Sequence, residues 1–581
     1  MKRHAFLLFL VVGLCVGGCG GESAAPEVSG RASRDEALAE SKPLNVVLIS
    51  LDTFRADRLS QAPFISDLAD KGWQSTRVWS SSNWTLPAHV SLLTSTDPSS
   101  HDVPSAGSVI PYTGERFPAE MVTLAETFRA AGYFTAATTD GGFLVPRFGL
   151  ERGFERFVAE KVGDEGDSFA RHRSALARFL EERGARPFFL FVHTYEIHDY
   201  FLNTPPYHRF VDPEADREAM AHGSWLEEIR EGTAPKEYVS RLYDSGIRWT
   251  DEFVEALVGD LKAMTPGEDL LVVITSDHGE SFGDRPGLWH HGDGLWEEQL
   301  RVPLVAWGNY VGAPSGLNDR RVSLIDIAPS VLAESGIEVP ISFEGRPDVF
   351  QASGSVSGIL EADSLPLIEA GRVHTGADWG TSFVSQALIE SDWKYYRRDS
   401  FEGKTRQEFC FNLLADPEER NNRMADRSSP CREFVGRLAD RLANLTSTAL
   451  HVTALSAVPI ELEFDDGGAV IGVRAAGGSS TPIGRAGEGA FRWQPKDAGD
   501  QLVVILGREP EGRIRVAMGP QSVPHALVWS ELLSSKGGRE LTSGPHSARV
   551  LARRGVASQT VSDLEVEPEL IDQLEALGYA Q

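Results

Sequence analysis

"NVVLISLDTFRADRL" (Asn45 to Leu59) is a nearly unbroken aliphatic run that stops at an aspartate. A strand with one face in water would alternate apolar and polar residues, whereas a continuous run of this length fits a strand covered on both faces. Four more runs have the same texture: "FTAATTD" (Phe134 to Asp140), "PFFLFVHT" (Pro187 to Thr194), "DLLVVITSD" (Asp269 to Asp277) and "RVPLVAWG" (Arg301 to Gly308). Helical patterns lie between them, among them "APFISDLADKG", "MVTLAETFRAAG", "SFARHRSALARFLEERG" and "EYVSRLYDSGIRWTDEFVEALVGDLKAM". Several close on glycine, the usual helix stop. The alternation predicts an α/β fold, a doubly wound sheet with helices on both faces.

With 581 residues the chain exceeds one ordinary domain. The texture changes near Thr448 to short alternating pieces such as "IELEF", "AFRW", "QLVVIL" and "RIRVAM", separated by Gly, Pro and Asp. A smaller β-rich accessory domain is expected over 448–545, after a catalytic-sized domain over 44–447. A tail over 546–581 ends in "EPELIDQLEALGY", where Pro568 and Gly578 bracket a short helix.

The first residues read as a targeting segment: "MKRH" is basic, "AFLLFLVVGLCVGG" is too short to span a bilayer, and Cys19 follows two glycines. Residues 1–18 look like a bacterial lipoprotein signal with lipidation at Cys19, and a plain secretory signal cut elsewhere is the alternative. Polar, small residues over 19–43 then form a flexible tether. On this reading the protein is exported and lipid-anchored to the cell envelope, periplasmic or on the outer-membrane face. Cys410 and Cys431 are the two cysteines left for an exported protein, which points to one disulfide, with two buried thiols as the alternative. A formal net charge of −28 without a basic patch argues against nucleic acid or anionic lipid as a main partner. Membrane contact is expected through the N-terminal lipid only, and the partner is a small-molecule, glycan or lipid ester.

Ligands of open α/β sheets bind beyond the carboxyl ends of the strands. Two of the runs end there in aspartate, at Asp52 and Asp277, and His278 follows the second at once. Either carboxylate alone could cap a helix. Together with the imidazole they suit one divalent cation. In "SSSNWTLPAHVSLLTS" (Ser80 to Ser95), Pro87 marks a first helical turn and puts Thr85 at the positive end of the helix dipole. Thr85 is there either a cap or a nucleophile.

"NVVLISLDTFRADRL", "WTLPAHVSLLTS", "GGFLVPRFGLERGFERF", "PFFLFVHTYEIHDYF", "TSDHGESFGD" and "HGDGLWEEQLRVPLVAWG" follow one another in the order typical of the sulfatase family of the alkaline phosphatase superfamily. "FNLLADPEERNN" (Phe411 to Asn422) resembles that family's C-terminal signature. The resemblance implies an alkaline-phosphatase-like fold and a metal-bound nucleophile acting on a sulfuric or phosphoric ester. It places Asp52, Asp277 and His278 on metal-ligand positions, with Thr85 at the nucleophile and also against the metal. It further aligns His198 of "YEIHDYF" and His291 of "WHHGDGLWEE" with histidines that bind the ester or protonate the leaving group, and Arg55 with a substrate-binding arginine that a structural salt bridge explains equally well.

The departures bear on the substrate. Thr85 stands where the family has the Cys or Ser that is oxidised to formylglycine, and threonine cannot be so converted. His89 replaces the arginine of that motif, Thr53 the second aspartate of "DD", His278 the usual asparagine, and "DGGF" (Asp140 to Phe143) the "G-K-x-H" segment. A phosphorylated threonine can be displaced directly by water, so phosphate esters, phosphodiesters or phosphonates are favoured over sulfate. A phosphoryl-group transferase acting on envelope acceptors and a non-catalytic envelope-binding pseudoenzyme are the alternatives. With no convincing D-x-x-x-H spacing for a second ion, one metal is expected, Zn²⁺ or Mn²⁺ from the donor set and Ca²⁺ or Mg²⁺ from the ordinary sulfatase pattern.

Overall fold

All seven residues of strand β1 (Asn45–Leu51) are buried. Val46 and Leu48 enter one apolar cluster, Val47, Ile49 and Leu51 another, so both faces of the strand are covered. At about 1.5–3 kcal/mol for each aliphatic side chain taken out of water, this run alone anchors the sheet, and a charged residue at Val47 or Leu48 would be buried without a partner. In the computed structural model the described residues are 42–101, 117, 121–159, 168–285, 288–292, 294–340, 342–350, 367–374, 382–400, 406–445, 449–455, 459–464, 470–476, 490–493, 495, 501–506, 513–518, 524–528, 532, 539–543 and 546–553. The signal and tether with Cys19, and the helix expected after Pro568, lie outside them.

Around β1 stand β2 (Trp73–Ser75), β3 (Phe134–Thr139), β4 (Arg156–Ala159), β5 (Phe188–Thr194), β6 (Leu270–Thr275), β7 (Leu304–Gly308) and β8 (Gly316–Asn318), in the spatial order β8-β2-β7-β6-β1-β5-β3-β4. The inner strands β6, β1, β5 and β3 run parallel. Strand β7, the "RVPLVAWG" run, is antiparallel to both β6 and β2. An apolar run records that a strand is covered, not which way it points.

Helix α1 (Pro63–Lys71) contributes Ile65 and Leu68 to the cluster containing Val47, α3 (Ser168–Glu182) contributes Leu176 and Phe179, and α4 (Lys236–Met264) contributes Leu257 and Leu261. On the opposite face, α2 (Thr85–Thr94) packs Leu86, Val90 and Leu93 with Val46 and Leu48. The sheet is therefore layered by helices on both sides, and the start of α2 is fixed against the core.

Residues 367–412 supply a four-stranded antiparallel sheet that composition does not single out: β9 (Leu367–His374), β10 (Ser382–Glu390), β11 (Trp393–Ser400) and β12 (Arg406–Asn412). Cys410 of β12 and Cys431, at the start of a helix (Cys431–Leu445), form a disulfide. Beyond it lie a five-stranded and a four-stranded antiparallel sheet. The β-rich part does not stop at 545, because His546–Arg553 pairs with Ala449–Ala454 and Arg539–Ser543 within the five-stranded sheet. Ser543 pairs with His546, so Arg539–Ser543 and His546–Arg553 are antiparallel neighbours on either side of the expected boundary. Among the described residues no helix is long and apolar enough to cross a membrane.

Candidate active site

Register builds the site. Ser50 pairs with Thr275, so Asp52 and Asp277, each two residues further on, leave adjacent parallel strands side by side. Thr53 then takes a left-handed backbone conformation (φ +60°), unusual for a β-branched residue. Its N–H donates to Asp277 Oδ1 at 3.2 Å, and its carbonyl accepts from the Tyr243 hydroxyl at 2.7 Å. Phe54 N–H donates to Ser276 Oγ at 2.9 Å. The turn after β1 is thus tied to the turn after β6, and the two carboxylates are held in a buried pair.

Thr85 is the first residue of α2. Trp84 is the N-cap, with extended backbone, and no side chain caps the helix. Thr85 is therefore not the N-cap residue of this helix. Thr85 Oγ1 instead lies 3.3 Å from Asp52 Oδ2 and 3.2 Å from His278 Nε2. His278 Nδ1 is 2.9 Å from the carbonyl of Gly279, an acceptor only, so Nδ1 carries the proton and Nε2 offers a lone pair.

Asp52, Asp277 and His278 bring one ligand atom each within 4.8 Å of one another, all buried. Asp52 Oδ1 and Asp277 Oδ2 find no hydrogen-bond donor among the described residues. Burial, and then the facing Asp277, push the Asp52 carboxyl well above its ordinary range. Burial opposes ionisation of Asp277 too, but the imidazoles of His278, His89 and His193 outweigh it and bring that carboxyl down to about 2. Two opposed carboxylates with spare lone pairs and a presented imidazole nitrogen fit a divalent cation.

His193 and His89, which are not among the expected site residues, are close to this centre. His193 Nε2 is 3.3 Å from Asp52 Oδ2. His89 sits one helical turn after Thr85, with Nδ1 2.8 Å from the Thr85 carbonyl and Nε2 2.9 Å from Ser50 Oγ. The signal for His193 lay in the register, since it pairs with Ser50. His101 bonds Ser91 Oγ further along α2.

Arg55 takes the structural alternative. Its Nε and Nη2 clasp both oxygens of Asp57, and Nη1 reaches Asp284 Oδ2 and the Glu280 carbonyl, all within 3.0 Å. Its hydrogen-bonding fork is spent inside the protein. Asp140 of "DGGF" likewise accepts from Ser168, His172 and the Tyr195 N–H. Gly141 and Phe143 stand where the "G-K-x-H" segment would supply its lysine and histidine.

His198 and His291 come together with a third imidazole, His290, the residue before His291. Ring centroids are 5.4 Å apart for His198 and His291, 5.5 Å for His198 and His290, and 4.1 Å for His290 and His291. His291 also lies 4.3 Å from His278, which joins this cluster to the carboxylate pair. Burial, and then His278, push His198 down to about 3, so at neutral pH it is a neutral ring and not a cationic acid.

Fold and site together define an α/β protein whose strand ends carry two aspartates and a histidine that could hold a metal ion, facing a helix-borne hydroxyl. The chain belongs to the sulfatase family: the family model described as Sulfatase matches residues 44–337. It is 31% identical over 174 residues to an ulvan-active sulfatase of Formosa agariphila, across 30% of this chain and 32% of that one. It is 28% identical over 196 residues to the multifunctional alkaline phosphatase superfamily protein PehA of Trinickia caryophylli, across 29% and 38%. The aligned stretches span about a third of these curated relatives. In fold it is similar to the phosphonate monoester hydrolase of Agrobacterium radiobacter, with TM-score 0.52, 21% identity, and 70% of this chain and 95% of that one covered.

Proposed function

We propose that this protein is a metal-dependent hydrolase of oxyacid esters with Thr85 as nucleophile, and that it prefers phosphate esters, phosphodiesters or phosphonates to sulfate esters. The observation that carries the reading is the aim of Thr85 Oγ1 at Asp52 Oδ2 and His278 Nε2, at 3.3 and 3.2 Å, in place of a capping bond. Asp52, Asp277, His278 and Thr85 would hold a divalent ion, which supplies Lewis-acid charge that acidifies a hydroxyl and neutralises an ester oxygen. Zn²⁺ or Mn²⁺ suits this donor set best, as it contains an imidazole; Ca²⁺ or Mg²⁺ would follow the wider family.

The chain's own groups do the rest. The first turn of α2 directs the positive end of its dipole toward an anionic ester at Thr85. Asp52 Oδ2 is the carboxylate atom within reach of the hydroxyl proton, and His193 Nε2 orients it. Burial of the whole set excludes water and strengthens each of these interactions. Phosphorus is preferred because threonine offers no formylglycine route for expelling sulfate, while water can displace a phosphoryl or phosphonyl group from threonine. The names of PehA and the phosphonate monoester hydrolase support this direction. Transfer to an acceptor hydroxyl differs only in the second nucleophile. The place of action would be the bacterial envelope, anchored at Cys19, which lipid labelling of a Cys19→Ser variant checks.

The test is turnover of matched aryl sulfate, phosphate monoester, phosphodiester and phosphonate with Zn²⁺, Mn²⁺ and Ca²⁺ supplied separately. A phosphorus ester should lead the series; a clear preference for sulfate overturns the reading of Thr85.

A further inference from the structure

His198, His290 and His291 form a second group whose ligand atoms all lie within 4.8 Å of one another. We infer that this three-histidine cluster binds a second cation, a borderline transition-metal ion with zinc first, beside the carboxylate pair. Three imidazoles facing one another, His198 and His291 buried and His290 half-buried, have no apolar packing rationale, and an all-nitrogen set selects Zn²⁺ and its neighbours over Ca²⁺ or Mg²⁺. Two of the rings have a carboxyl group behind them: His198 Nδ1 is 2.9 Å from Asp199 Oδ1, and His291 Nδ1 is 3.3 Å from Glu280 Oε2. A carboxylate accepting from Nδ1 fixes the tautomer and turns the Nε2 lone pair outward, the usual support of a metal-bound histidine. The third ring is held by strain, since His290 has φ +63° and a non-glycine residue keeps that conformation only where its surroundings demand it. Gly292 next to it has φ +92°, so "HHG" is a tight turn that presents two adjacent histidines to one point.

That no D-x-x-x-H spacing supplies these ligands does not count against this site. Its ligands come from the segment after β5 and from the turn at 290–292, and the fold joins them. Asp199 and Glu280 supply two carboxyls beside the cluster, while Arg230 stands as a cation near His290. A second cation would also supply positive charge that Gly141, Phe143 and His89, standing where the family has basic groups, do not; this role, unlike the binding itself, rests on the ester-hydrolase reading above.

Metal stoichiometry tests it. The full chain, stripped with chelator, reloaded with Zn²⁺ and freed of excess, should hold about two equivalents by elemental analysis. Asp277→Asn and the double variant His198→Ala/His290→Ala should each hold about one, and Co²⁺ loading should show two visible absorption components in the parent and one in each variant. One equivalent in the parent overturns the second site, whether or not the variants fold. Two equivalents in a folded His198→Ala/His290→Ala protein also overturn it. Failure of the hydrolase reading is separate, because it appears in ester turnover and leaves the Zn²⁺ count unchanged.

Discussion

Thr85 Oγ1 lies 3.2 Å from His278 Nε2, although one residue opens a helix on one face of the sheet and the other follows a strand at its centre. The contact exists because β6 ends beside β1 and α2 starts over their carboxyl ends. It commits both residues to one centre, and changes at any of its supports should be felt there.

Asp277→Asn removes the carboxylate that faces Asp52 and accepts from the N–H groups of Thr53 and His278. The variant should lose the divalent ion of the carboxylate pair and about a hundredfold or more in turnover, with partial rescue by excess metal. Elemental analysis and kcat at graded metal concentration check this. Retention of the parent's full metal content would remove Asp277 from the ligand set.

Gly292→Ala reaches the nucleophile from behind. A Cβ at Gly292 would stand 2.6 Å from Trp84 Cζ3, and the backbone there has φ +92°. Trp84 immediately precedes Thr85 and packs edge-on against His291, with ring centroids 5.3 Å apart. The substitution should cost about 1–3 kcal/mol in stability and lower kcat more than it raises KM. Thermal melts and steady-state kinetics read both effects.

A pH-dependent contribution to stability lies away from this centre, at Glu419. Its carboxylate meets Lys394 Nζ at 2.7 Å and Arg285 Nη2 at 2.8 Å. Burial, with repulsion from Glu297, outweighs these cations and pushes it from 4.5 up to about 7. A carboxyl raised in the folded state favours folding while protonated, so its contribution is complete below about pH 4.5 and is lost as the pH rises through about 7. The melting temperature of Glu419→Gln relative to the parent should therefore rise between pH 5 and 8. A difference that is flat across that range would contradict the assignment.

Much of the centre was legible because strand ends are legible. Asp52, Asp277 and His278 each follow an apolar run, and Pro87 marks the helix that positions Thr85. His193 and His89 were not, since one depends on which strand neighbours β1 and the other on a helical turn returning to the same point. Nothing local marked His290 either, because its role depends on a turn that closes on a distant loop. "FNLLADPEERNN" turned out to be structural: Asn412 and Asp416 tie its turns, Asn422 accepts from Cys410 N–H, and Glu419 is buried against Lys394. The direction of β7 and the sheet over 367–412 could not be read, as both depend on pairing partners far along the chain.

The central claim, that Thr85 performs the first attack, is tested most directly by Thr85→Ala turnover of the best phosphorus ester found for the parent. The account expects a folded variant, with a cooperative melt, whose rate falls on the order of a thousandfold or more, and a Thr85→Ser variant that recovers part of the loss. A folded Thr85→Ala protein that turns the ester over at the parent's rate would contradict it.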